Sequence, residues 1–256
     1  RAADRALGLG GRPAGGLMTH RYALYLAPRP DSELHRFASR WLGRDAITDE
    51  ALDQPFVEHV PADKLREITG SPRRYGFHGT IKAPFRLAHD REPDELHRAA
   101  RIFAAAWPAM ALTLEVRSLR GFLALMLADR SPELDTFAAA CVRDFEPFRA
   151  PLTVEEREQR ERAALTPRQR AHLEHFGYPY VMEDFVFHMT LTERLHDNLH
   201  DRVLTDLCAR TRPLLAEPFQ ADALCVFEEP EPQAPFRLTA RYPLAPAQPS
   251  TESAST

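Results

Sequence analysis

The sequence predicts an α+β fold made of two similar lobes related by a pseudo-twofold axis. Two observations predict it. Strand-like alternation and helical apolar spacing interleave along the whole chain, which indicates α/β or α+β layering rather than a bundle or a sandwich. One strand motif, apolar-His-x-Thr-apolar, then occurs twice, at positions 78 and 188, 110 residues apart, with no short-period repeat of solenoid type.

The elements follow in order. Residues 21–27 (RYALYLA) alternate as a strand ended by Pro28 and Pro30. Leu34, Phe37, Ala38, Trp41 and Leu42 fall at helical spacing, so 31–42 reads as an amphipathic helix. A shorter helix over 62–69 is expected to stop at Gly70 and Pro72. Residues 77–87 are rich in strand formers and interrupted by Pro84, and 94–107 is helical again. Two strands, 111–116 and 122–128, turn near Gly121. Ser131 and Pro132 then start a helix, with the hydroxyl as cap and the proline in the first turn. The charged stretch 155–175 is helix-prone, with a second start at Thr166-Pro167. A strand at 185–191, a helix at 199–215 and closing strands at 219–227 and 236–242 complete the pattern.

Bulk properties bound the function. The 256 residues are 44% hydrophobic and 27% charged, with a formal net charge of −4 and a pI near 6.3. A protein that coats long nucleic acids needs a basic stripe, so such a partner is not expected, whereas a small phosphorylated substrate needs only a few local donors. Cys141, Cys208 and Cys225 lack metal or disulfide spacing and read as buried thiols in a reducing cytoplasm. No apolar run is long enough for a membrane span. Residues 1–17 are expected to be a flexible leader, 18–244 a single domain and 245–256, rich in Pro, Ser and Thr, a disordered tail.

The repeated words are Phe77-His78-Gly79-Thr80-Ile81 and Phe187-His188-Met189-Thr190-Leu191. On a strand, each His-Thr pair shares one face while the apolar residues anchor the other. Two such words by chance have a probability on the order of 1%. Imidazole titrates near neutrality, so two of them can supply the base and the acid for phosphodiester hydrolysis without a metal. The two hydroxyls can donate to nonbridging oxygens as charge builds on them. Lys82, two residues past Thr80, is expected on the same face as a phosphate-binding point charge or as a solvated strand end. Tyr75, Tyr178 and Tyr180, just before the motifs, are candidates to flank a sugar or base, with core packing as the alternative. His172/His175 and His196/His200 lack H-E-x-x-H or accompanying cysteines, so no metal is expected. There is no phosphate loop, G-x-S-x-G or G-x-G-x-x-G, and no cofactor is implied. Residues 153–176 are either a solvated helix or a lid over the cleft that limits substrate size.

The paired H-x-T words resemble those of the 2H phosphoesterase superfamily, which includes RNA 2′,3′-cyclic phosphodiesterases. The resemblance implies a two-lobed domain with a central cleft, His78 and His188 as the acid/base pair, and Thr80 and Thr190 as phosphate-oxygen donors. The words RYALYLAP, YGFHGTIKAPF and GYPYVMEDFVFHMTLT are similar to those of a bacterial family often encoded with phosphonate-utilisation genes, over roughly residues 21–242. That resemblance implies a small cyclic sugar phosphate, such as 5-phosphoribosyl 1,2-cyclic phosphate, as substrate. The alternatives are processing of RNA or nucleotide 2′,3′-cyclic or 2′-5′ ends, and a non-catalytic module that binds a phosphate ligand or RNA.

Overall fold

The structure, a computed structural model, describes residues 20–247. Its elements are β1 (Arg21–Leu26), α1 (Glu33–Leu42), α2 (Ala62–Ile68), α3 (Gly70–Tyr75), β2 (Gly79–Arg86), α4 (Pro93–Ala105), β3 (Met110–Leu112), β4 (Leu114–Leu119), β5 (Phe122–Leu127) and α5 (Pro132–Asp144). There follow α6 (Val154–Glu161), α7 (Pro167–Phe176), β6 (His188–Arg194), α8 (Asp197–Thr211), β7 (Phe219–Ala221), β8 (Ala223–Glu229) and β9 (Arg237–Pro243). Helix starts are chemically marked. Ser32 and Ser131 accept from the backbone of His35 and Leu134, and Thr153 and Thr166 form capping boxes with Glu156 and Gln169.

Seven strands form one antiparallel sheet in the order β4-β5-β6-β2-β1-β8-β9, and β3 and β7 pair separately. The expectation of two lobes thus takes a coarser form, a mixed α+β fold around one continuous sheet. Each motif strand nevertheless has a similar neighbourhood: β1 lies between β2 and β8, and β5 between β6 and β4. The two motif strands, β2 and β6, are neighbours at the centre, joined at a single antiparallel pair, Gly79 with Met189.

The sheet separates two apolar layers. One face carries Leu24, Leu26, Ile81, Met189, Leu191 and Leu224 into the main core with Trp41, Leu96, Phe137 and Leu207 from the helices. Full burial of side chains of this size contributes about 1.5–3 kcal/mol each, an upper bound set by the unfolded reference. Trp41 also donates its indole N–H to the Leu191 carbonyl at 2.9 Å, which ties α1 to the second motif strand. The opposite face, with Ala23, Tyr25, Cys225, Phe227 and Phe236, is a smaller layer that floors the cleft.

Several boundaries depart from the expected ones. Helix α2 ends at Ile68, before Gly70 as expected, but Gly70 and Pro72 then begin a further helix, α3, because a proline in a first turn sacrifices no intrahelical bond. Residues 111–116 and 219–227 each split into two strands, since β3 and β7 leave the large sheet to pair with each other. The strand expected at 185–191 enters the ladder only at His188, after a 3-10 turn at Met182–Asp184. The expected tail from 245 starts too early: Ala245 donates to the Trp107 carbonyl and accepts from the Ala109 N–H, both at 2.8 Å. Cys208 is exposed on α8 rather than buried; Cys141 and Cys225 are buried as expected. The proposed leader, 1–17, and residues 248–256 lie outside the described residues. Among the described residues no helix is long and apolar enough to cross a membrane.

Candidate active site

His78 and His188 are held in the same way. Each Nδ1 lies against the carbonyl oxygen of the residue two positions earlier, Gly76 at 2.9 Å and Val186 at 2.7 Å. A carbonyl only accepts, so each Nδ1 carries the proton and each Nε2 is left as an acceptor. His78 Nε2 is 3.1 Å from the Thr80 hydroxyl. Tyr25 stacks on the His78 ring with centroids 3.7 Å apart, and Phe122 lies 5.6 Å from the His188 ring.

Local sequence explains this placement. Gly76 sits at φ 74, a backbone region that suits glycine, and its carbonyl is the one that orients His78. Gly79, between His78 and Thr80, has the buried Phe187 ring directly over its Cα, so any side chain there would meet that ring. The x of the first H-x-T word is therefore a glycine because the second word packs on it.

Two adjoining chambers flank the pair. A cleft of about 450 Å³ is bounded by His78, Thr80, Thr190, Tyr25 and Tyr75, with Arg21 and Arg160 on its walls. A second space of about 180 Å³ holds His188, Arg120, Phe122, Tyr180 and Phe185. Thr80 and Tyr178 border both. Burial depresses both imidazoles: His78 falls to about 4, with His188 adding a smaller repulsion, and His188 is lowered by burial with Arg120 adding to it. In the free protein at pH 7 both rings are neutral, with Nε2 as the acceptor nitrogen. Among the described residues no group of three or more His, Cys, Asp or Glu is arranged to hold a metal.

A family model described as "Protein of unknown function (DUF1045)" matches residues 80–237, more than half of the chain. The chain belongs to that family. The DUF1045 chain is also 40% identical over 230 residues to a protein of Janthinobacterium sp. (strain Marseille), and 32% identical over 219 residues to one of Laribacter hongkongensis. Both relatives carry the name ribose 1,5-bisphosphate phosphokinase PhnN. The alignments cover 88% and 85% of this chain but 51% and 50% of the relatives, so the chain spans about half the length of the curated relatives it matches. These matches support the phosphonate-associated family that the longer sequence words resemble. A solved structure of a conserved protein of unknown function from Agrobacterium tumefaciens covers 91% of each chain at 15% identity, with a TM-score of 0.38.

Within the DUF1045 chain, the sequence-selected residues do not all converge. His78, Thr80, Tyr75, Tyr178, Tyr180, His188 and Thr190 border the two chambers. Lys82 does not, which corrects the expected placement. Two register shifts between β1 and β2 break the alternation, so Lys82 pairs with Leu24 on the helix side while Thr80 pairs with Tyr25 on the cleft side. Its ammonium is buried, 3.0 Å from Glu146 and 3.1 Å from the Val142 carbonyl, and Ala83 and Pro84 line the cleft instead. Of the two readings of 153–176, α6 takes the cleft-lining position. Its Glu156, Gln159 and Arg160 face the cleft, anchored by Glu156 to Arg86 at 3.0 Å. Tyr25, Arg21, Arg120 and Arg160 were not singled out by sequence. Tyr25 and Arg21 were legible in principle from the alternation of β1, whereas the other two arginines come from a turn and a charged helix with no motif of their own.

Proposed function

We propose that this chain hydrolyses a small cyclic phosphodiester by paired-histidine acid–base catalysis that needs no metal. The observation that carries the reading is the matched geometry of His78 and His188. On neighbouring strands that border two adjoining chambers, each has its Nδ1 fixed by a carbonyl and its Nε2 left as an acceptor, with a threonine two residues on. The similar neighbourhoods of the two motif strands support a 2H-type ancestry, with the β1-β2-β8 and β5-β6-β4 units as the counterparts of two lobes.

In the reaction one neutral imidazole accepts a proton from water as its oxygen forms the new P–O bond. The other, protonated when the substrate's phosphate anion is bound, gives its proton to the alkoxide leaving as the ring P–O bond breaks. Thr80 and Thr190 donate to the nonbridging oxygens. Products and substrate balance by one water, and no cofactor enters.

The relatives' name supports a substrate. Water opening of 5-phosphoribosyl 1,2-cyclic phosphate at the 2-oxygen yields ribose 1,5-bisphosphate, the compound that name says those proteins phosphorylate. A kinase reading of this chain itself has less support: it has no phosphate loop, and about half of each relative lies outside the alignment.

The test is phosphorus NMR of the reaction in EDTA, with 5-phosphoribosyl 1,2-cyclic phosphate and 2′,3′-cyclic nucleotides as competing substrates. The expected result is conversion of the sugar phosphate to the 1,5-bisphosphate. Preference for the nucleotides would move the assignment to RNA or nucleotide ends, and strict dependence on added metal would reject the mechanism.

A further inference from the structure

We infer that Arg160 holds a second anionic group of the substrate, so that the substrate is a phosphodiester that also bears a terminal phosphoryl group. The inference rests on the His78–His188 cleft being the phosphodiesterase site. Arg160 lines the 450 Å³ cleft with His78, Thr80 and Thr190. Several other arginines around this region are matched by carboxylates. Arg21 and Arg74 bond Glu229, Arg86 bonds Glu156, and Arg149 bonds Glu146. Arg160 has no hydrogen bond and no carboxylate within ion-pair distance among the described residues. Glu156, one turn earlier on the same helix, is committed to Arg86 and to the N–H of Thr153.

What holds Arg160 is an aromatic face. Its guanidinium carbon lies 5.0 Å above the Tyr178 ring, and Tyr178 meets Tyr180 edge-on with centroids 5.6 Å apart. Stacking fixes the plane of a guanidinium while leaving its edge N–H groups free, and an edge is what a phosphate accepts in bidentate fashion. The side chain is half-buried, and burial weakens its hold on the proton by more than the Glu156 charge one turn away restores. A bound anion compensates that loss. Arg120 repeats the arrangement, 4.8 Å above Tyr180, but in the smaller chamber beside His188. It is positioned for the reacting phosphorus rather than for a distant group, and so serves as a control.

The charged segment before the second motif thereby gains a specific purpose. The capping box at Thr153 and the Glu156–Arg86 pair set α6 over the cleft, and α6 delivers Arg160 one turn later.

The test compares ribose 1,2-cyclic phosphate with and without the 5-phosphate, for wild type and Arg160→Gln. A hydrogen bond to a charged group contributes about 1.5–3 kcal/mol, equivalent to roughly 10- to 150-fold. Arg160→Gln should lose a factor in that range in kcat/KM on the phosphorylated substrate, mainly through KM. It should lose less than about twofold on the substrate without the 5-phosphate. Arg160→Lys should recover part of the loss, and Arg120→Gln should affect both substrates alike. Equal losses of Arg160→Gln on both substrates, or a wild type indifferent to the 5-phosphate, would overturn the assignment. If neither compound is turned over, the hydrolase reading fails and calorimetry with ribose 5-phosphate decides the subsite. Binding by wild type and His78→Ala but not by Arg160→Gln upholds it, and any other pattern rejects it.

Discussion

The Nδ1 atoms of His78 and His188 donate to main-chain carbonyls, and this single fact governs what each ring can do. It holds one tautomer, keeps Nε2 as an acceptor, and leaves burial to lower both affinities for a proton. The pH dependence follows with its sign. The limb of kcat/KM that rises with pH reports the base losing its proton, and the limb that falls reports the acid losing its own. With His78 near 4 and His188 also depressed, both limbs lie below the ordinary imidazole value of 6.5. The maximum of kcat/KM should therefore lie below pH 6.5. The maximum of kcat should sit higher, because a bound phosphate anion favours imidazolium. A pH–rate series at limiting and saturating substrate checks this, and a kcat/KM maximum above 6.5 would contradict it. Lys82 gives a second residue-scale prediction. Lys82→Met leaves Glu146 still paired with Arg149 at 2.6 Å, so it should cost at most about 2 kcal/mol of stability and leave kcat/KM within twofold of wild type. A loss of activity by orders of magnitude in a folded Lys82→Met protein would return Lys82 to the site.

The elements carry a different lesson, because β2 and β6 share only the Gly79–Met189 pair and meet through Phe187. Gly79→Ala drives a methyl group into the buried Phe187 ring. The expected cost is about 1–3 kcal/mol, as for other overpacked sites, with a loss of turnover larger than the loss of stability because the two histidines move apart. Paired denaturant and kinetic measurements on this variant check it; unchanged midpoint and activity would mean that the strands tolerate separation. At this scale much was legible in the sequence. The strands of β1 and β5, the helices α1, α4 and α5, and the starts at Ser131 and Thr166 follow from periodicity and capping chemistry, which are local. What was not legible is non-local. The register shifts that turn Lys82 inward depend on how β1 pairs with β2, and the split of 111–116 depends on β7, more than a hundred residues away. Alternation along a strand assumes a regular ladder, and a bulge cancels it without any mark such as Gly or Asn at the site.

For the whole molecule, the central position of β2 and β6 is the organising fact. One continuous sheet sets the two H-x-T words on neighbouring strands, and helix α6, which precedes the second word, lines the cleft with an arginine. The motif histidines and threonines could be picked out of the sequence because their spacing is a property of single strands. The arginines and Tyr25 could not, because their meaning comes only from what the fold sets opposite them. The account rests on the claim that His78 and His188 act together on a phosphodiester. The most direct test is single-turnover hydrolysis of 5-phosphoribosyl 1,2-cyclic phosphate in EDTA by wild type, His78→Ala, His188→Ala and the double variant, each shown to be folded. The account predicts a loss of about 10²–10⁴-fold in each single variant, and little further loss in the double, as expected for groups that serve one reaction. Turnover within a few-fold of wild type in either single variant would contradict it.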